Sequence, residues 1–149
     1  VTGVRVRAPG AADLPAWVAM RAALWPEEDA GALAAEAARW LHAGADGVFL
    51  AEVDGQPAGM AEASLRHDHV NGTATSPVGF LEAWYVAPPW RGRGIGRALV
   101  QAVEAWTRVR GCTELASDAR LDNTAGRAAH LACGFAEAER VVFFRRRVG

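Results

Sequence analysis

No apolar run in this sequence approaches the roughly 18 residues that a membrane-spanning helix needs, so no membrane partner is expected. No basic segment followed by an apolar one opens the chain, and the expected location is therefore the cytoplasm. Cysteine is scarce: Cys112 and Cys133 are the 2 present, and neither stands in a CxxC or Cys/His ligand spacing. Both are expected to be reduced thiols. His67 and His69 form an HxH pair with no third ligand near them in sequence. They are read as part of a polar loop, and no metal is expected. A strong net charge is also missing, since the balance is −1. The arginines do not form a basic face interleaved with aromatics, so nucleic acid is not an expected partner. Repeats and low-complexity linkers are absent as well.

What is present suits one soluble domain. The chain has 149 residues, of which 51% are hydrophobic and 22% charged. Charge is unevenly placed. Acids gather at Glu27, Glu28 and Asp29 and again at Asp118 and Asp122, whereas arginine gathers at Arg91, Arg93 and Arg97 and at Arg145 to Arg147. Such a chain can hold a cation at one place and an anion at another.

Periodicity supplies the elements. Val4, Val6 and Ala8 alternate with arginines and read as an edge strand. Residues 11–24 and 31–43 read as helices, the first ended by Pro26. Residues 48–53 and 57–65 read as strands joined at Asp54-Gly55, a hairpin signal. Residues 78–86 read as an apolar strand interrupted by Glu82, and 94–109 as an amphipathic helix. A short strand at 112–116, a helix at 123–133 ended by Gly134 and a last strand at 139–146 complete the chain. The order β-α-α-β-β-β-α-β-α-β implies a mixed α/β domain. Residues 78–116 should form a parallel crossover.

The segment Arg91-Gly92-Arg93-Gly94-Ile95-Gly96 directly follows a strand and opens a helix. Glycines there let backbone N–H groups converge on a ligand. The helix N-terminus favours phosphate, and Arg91 and Arg93 add charge-assisted donors. A pyrophosphate is the natural occupant. The spacing is neither the GxGxxG dinucleotide fingerprint nor a P-loop.

This segment resembles the acetyl-CoA motif R/Q-x-x-G-x-G/A of the GNAT acyltransferase superfamily, with Arg91, Gly94 and Gly96 at the three fixed positions. Residues 81–86 suit the family's splayed strand, Asn123 its cofactor-contacting asparagine, and Gly134-Phe135 its closing Gly-Phe. Phe80-Leu81-Glu82-Ala83-Trp84-Tyr85-Val86, Ala116-Ser117-Asp118, Leu121-Asp122-Asn123, Glu139 to Phe144 and Leu24-Trp25-Pro26 together look like the aminoglycoside 6′-N-acetyltransferases. The resemblance runs with gaps from about residue 5 to the end of the sequence given. It implies a GNAT fold, with a mixed central β-sheet flanked by helices in a single domain over residues 1–149. It implies acetyl-CoA as co-substrate, a small-molecule aminoglycoside as acceptor, antibiotic resistance and a homodimer. Other acceptors for the same fold are a polyamine, a peptide amine or another small amine. A non-catalytic acyl-CoA sensor is the alternative from a different class.

Residue roles follow, each beside a plainer reading. Glu82, a carboxylate in an apolar strand, is either a buried ion-pair partner or a binder of the acceptor's ammonium that also takes a proton through water. Asp118, matched by the resemblance to an acid near the acceptor, is the second catalytic candidate. Asp122 is read as the cap of the following helix. Trp25 with Glu27 and Glu28 either walls an acceptor pocket or forms a solvated turn. The backbone N–H groups of Tyr85 and Val86 are candidate donors to the thioester oxygen. Trp84 and Tyr85 (the only tyrosine) are otherwise core or pocket wall, with Tyr85 also placed toward the acceptor. The expected cofactor set is Trp84, Tyr85, Val86, Arg91 to Gly96 (Ile95 included) and Asn123. Many GNAT enzymes carry a tyrosine acid four residues before the Gly-Phe glycine. Here that position is His130, which is either a proton donor or a satisfied helix residue. No activating histidine arrangement surrounds either cysteine, so direct transfer is expected in place of an acetyl-cysteine step.

Overall fold

A computed structural model describes residues 3–149; the first two residues of the expected domain lie outside it. The elements are β1 (Val4–Arg7), α1 (Leu14–Leu24), α2 (Ala30–His42), β2 (Val48–Val53), β3 (Gln56–Arg66), β4 (Val78–Val86), α3 (Ile95–Val109), β5 (Leu115–Ser117) and α4 (Thr124–Ala132). One sheet runs in the order β1-β2-β3-β4-β5. Its first three pairings are antiparallel. The last, β4 with β5, is parallel, as a crossover through α3 requires.

Local chemistry sets these boundaries. Asp54 and Gly55 both hold positive φ, 51° and 81°. That is the backbone of a tight hairpin turn, and it sets the Val53↔Gln56 register. Asp29 caps α2, its carboxylate accepting from the Ala32 N–H at 2.8 Å. Asp13 ties down the entry to α1 differently: Arg7 donates twice to its carboxylate, at 2.7 and 2.8 Å.

Two apolar layers sandwich the sheet. On one face α3 buries Ile95, Leu99, Val100, Val103 and Trp106 against Ala61, Ala63 and Leu81. Each such large side chain contributes about 1.5–3 kcal/mol. On the other face Trp17, Met20 and Ala37 of α1 and α2 pack on Val48, Leu50, Met60 and Ala83. β4 is therefore covered on both sides, which is why its sequence reads as nearly continuous apolar residues.

The expected final strand is not formed. Residues 139–146 have no regular structure. Val142, Phe143 and Phe144 stand 76%, 88% and 92% exposed. A strand needs a neighbour to take its N–H and C=O groups, and within one copy the sheet ends at β5.

Candidate active site

β4 and β5 are paired only at Gly79↔Leu115, Phe80↔Ala116 and Leu81↔Ser117. Beyond Leu81 the strands part, leaving residues 82–86 without a neighbour on that side. At the same place the β3–β4 ladder changes register. Glu62 pairs with Ala83 and Ala63 with Leu81, so Glu82 is the extra residue of a β-bulge. A bulge frees one residue from the ladder and re-aims its side chain.

Glu82 is thereby turned into a cavity of about 340 Å³ that it lines with Arg21, Trp25, Glu36, Trp40, Glu62 and Ser64. Its side chain stays 29% exposed. The Ser64 hydroxyl donates to it. Arg66 donates twice, from Nη2 at 2.6 Å and from Nε at 3.1 Å. Glu82 is thus a pocket carboxylate and also an arginine's partner, in a pair that is partly exposed and not buried.

The cavity's other acids are ones that sequence reasoning missed. Glu62 is 1% exposed, and so is its partner Arg21. Its carboxylate accepts from Trp17 Nε1 at 2.8 Å and from Arg21 Nε at 2.9 Å. Burial pushes the Glu62 carboxyl up, against the opposing pull of Trp17 and Arg21. Arg21 also reaches the Leu33 carbonyl and Glu36, and its guanidinium lies 5.1 Å from the Trp25 ring centre. Trp25 is thus fixed beside the cavity from the end of α1. Glu27 and Glu28 are exposed on the following turn and do not line the cavity.

Asp118 directly follows β5 and is exposed. It lines a broad groove with Arg66, Phe80 and His130 on the far side of the strand parting. His130 is satisfied at both nitrogens. Nδ1 lies 2.7 Å from the Gly126 carbonyl, and Nε2 lies 2.7 Å from the Ser117 hydroxyl. A carbonyl can only accept, so the neutral ring spends its single proton there. Trp84 and Phe135 meet the ring edge to face, both at 5.2 Å between centres. In that tautomer Nε2 accepts from the Ser117 hydroxyl.

The loop before α3 has the form of an anion cradle. Gly92 and Gly94 hold φ of 75° and 84°, and no side chain caps the helix that follows. The N–H groups of Ile95, Gly96 and Arg97 therefore open the helix without a side-chain acceptor. Gly96 is small for a second reason: a Cβ there would stand 3.2 Å from the Trp84 ring, whose Nε1–H donates to the Gly96 carbonyl at 3.1 Å. Arg91 folds back to donate to the Val86 carbonyl at 2.8 Å, and Arg93 faces the Trp90 ring.

The two backbone candidates on β4 point to opposite sides. Ala87 donates to the Ala58 carbonyl at 2.8 Å. Alternation along the ladder then commits the Tyr85 N–H to β3 and aims the Val86 N–H into the parting. Asn123, not Asp122, caps α4: its Oδ1 accepts from the Gly126 N–H at 2.9 Å. Asp122 instead meets Arg120. Asparagine wins because it occupies the last non-helical position, with its oxygen in reach of that N–H.

Residues 14–135 match the acetyltransferase (GNAT) family. The chain is 54% identical to an aminoglycoside N(6′)-acetyltransferase type 1 of Stenotrophomonas maltophilia, over 94% of this chain and 91% of that one. It is 44% identical to one from Salmonella typhimurium (strain LT2), over 88% and 90%. Among solved structures it superposes on AAC(6′)-Iy in complex with the bisubstrate analog CoA-S-monomethyl-acetylneamine with a TM-score of 0.89, at 41% identity over 97% and 99% of the two chains. AAC(6′)-Ih from Acinetobacter baumannii matches at 0.89 and 44% identity, over 99% and 100%. The parted strands, the glycine-opened helix and this similarity agree: the chain belongs to the acetyltransferase (GNAT) family and, within it, to the aminoglycoside N(6′)-acetyltransferases.

Proposed function

We propose that this chain, acting as one GNAT domain over residues 1–149 in the cytoplasm, carries the acetyl group of acetyl-CoA to the 6′-amine of an aminoglycoside by direct attack, and so gives resistance. One observation carries the acceptor reading. The bulge at Glu82 falls one residue past the last β4–β5 pair. A carboxylate therefore stands where an acid-lined cavity meets the cleft that a thioester would enter. The names of the relatives support the same acceptor class.

Acetyl-CoA, when bound, supplies an activated acetyl thioester. The residues fit it. The N–H groups at the start of α3, with Arg91 and Arg93, hold the pyrophosphate, and Asn123 offers its amide N–H₂ from the cap of α4. The Val86 N–H steadies negative charge on the acyl oxygen. Trp25 stacks on a sugar ring. Glu82 and Asp118 draw the acceptor's ammonium groups, and Glu82 takes a proton through water. The amine nitrogen bonds to the acetyl carbon as the carbon–sulfur bond breaks. Sulfur leaves as thiolate.

The functional unit is a homodimer in this reading. Residues 139–146 carry the apolar side chains of a strand and form no strand pairing among the described residues of their own copy. A second copy supplies that pairing. Light scattering tests it: Phe143→Asp with Phe144→Asp should turn a dimer into a monomer, and an unaltered mass excludes the segment from the interface.

The activity is tested by CoA release from acetyl-CoA with kanamycin, its 6′-hydroxy counterpart, spermidine and a lysine peptide. Turnover with kanamycin alone is expected. Turnover only with spermidine or peptide would keep the donor and overturn the acceptor.

A further inference from the structure

Arg66 is the last residue of β3 and stands between the cavity and the groove. Its guanidinium grips both oxygens of Glu82. Below it, the Phe80 ring centre lies 3.5 Å from Cζ. It lines the same groove as Asp118, whose charge it also feels. A single cation thus answers both acids assigned to the acceptor.

The contrast with Arg21 is instructive. Arg21 is 1% exposed and is fixed by Glu62, Glu36 and the Leu33 carbonyl. Removing either partner of a buried pair strands a charge. Arg66 is 43% exposed. It sits at a strand end where a polar loop begins, and an exposed pair is held only weakly. One arginine is a fixed anchor; the other holds Glu82 on a bond that water and a competing cation can replace.

We propose that Arg66 is a built-in counter-ion that the acceptor's ammonium must displace from Glu82, which makes it a selectivity residue favouring polycations. With the cavity empty, it neutralises Glu82 among the neighbouring carboxylates Glu36 and Glu62. An acceptor bearing several ammonium groups offers more than one charge to the acids on both sides and displaces it. An amino sugar with one ammonium gains little more than it must replace. The inference rests on the acceptor site proposed above.

The test is steady-state kinetics of Arg66→Gln and Arg66→Met, the latter keeping an unbranched stem over Phe80. Acceptors are kanamycin and 6-amino-6-deoxyglucose, an amino sugar whose single ammonium is at the reacting position. Both variants should lower the KM for acceptor by roughly two- to fivefold, the scale of an exposed pair, with the larger gain for 6-amino-6-deoxyglucose. The KM for acetyl-CoA should not move. An unchanged or raised acceptor KM in folded protein overturns the inference and makes Arg66 a positioning residue for Glu82. Unfolding of both variants overturns it as well, because the arginine would then be an anchor. Absence of kanamycin turnover by the unaltered protein is a separate failure: it removes the acceptor assignment, and this inference with it.

Discussion

Replacing Glu82 with glutamine keeps the side chain's size and its bond from Ser64 while removing its charge. A hydrogen bond to a charged partner contributes about 1.5–3 kcal/mol. At about 1.4 kcal/mol per factor of ten, its loss is worth roughly 10- to 150-fold in acceptor binding. The 29% exposure of the side chain argues for the lower part of that range. Loss of a proton acceptor adds a further factor, typically about 100-fold or more. The two factors together give an expected fall of roughly 1,000-fold or more in kcat/KM for kanamycin, with the KM for acetyl-CoA within about twofold. Stability should barely change. The lost Arg66 pair is 43% and 29% exposed, and such pairs contribute at most about 1 kcal/mol. At this chain length that is a Tm shift of about 2–4 °C. The assay is CoA release beside a thermal melt of the same preparation. A kcat/KM within about threefold of the unaltered enzyme would refute the role of Glu82. A melt lowered by about 10 °C or more would refute the claim that its carboxylate is a surface charge rather than a structural one.

Glu62→Gln should behave in the opposite way. It strips the charge that answers buried Arg21, which still keeps Glu36, and should cost about 3 kcal/mol, read as a Tm lowered by roughly 6–12 °C. Gly94→Ala places a Cβ at φ 84°, a strain of about 1–2 kcal/mol. It should raise the KM for acetyl-CoA several-fold and leave the acceptor KM unchanged in a two-substrate titration. Acid unfolding should register Asp13, whose carboxyl is lowered from 3.8 to about 2 chiefly by the Arg7 hydrogen bonds. A carboxylate lowered on folding stabilises above the ordinary value and loses that contribution as pH falls. Asp13→Asn should therefore flatten the stability curve between about pH 4 and pH 2, and an unchanged slope there would exclude the pair from acid stability.

Much of the fold was legible because its elements bury one face and say so in their spacing. α3 is the clearest case: Ile95, Leu99, Val103 and Trp106 recur at helical intervals and all reach the core. β5 was less legible. Cys112 was read into it, yet the strand is only Leu115–Ser117, since pairing with β4 begins at Gly79↔Leu115. The final strand could not be placed from one chain, because alternation and β-propensity describe a segment while pairing needs a neighbour. Around the candidate site, the positions of the glycine loop before α3 and of Trp25 at the end of α1 could be read from residue type and order. Glu36 was hidden in an alanine-rich helix, where a lone glutamate usually faces water. Glu27 and Glu28 looked more promising only because they were adjacent to Trp25 in sequence.

Glu62 is the instructive omission, since it carries the same signal that drew attention to Glu82: an acid inside an apolar strand. The two stand on neighbouring strands at the same ladder irregularity. What separates their roles is geometry that composition does not encode. Glu62 stays in register, pairs with Ala83 and is buried under Trp17 and Arg21, where each oxygen has a fixed donor. Glu82 is the residue left over by the bulge, partly in water, and is held by an arginine that is itself half in water. Both acids are paired charges, and under the proposal above function depends on whether the partner can leave. By that criterion Arg21 marks the frame of the pocket and Arg66 marks its entrance.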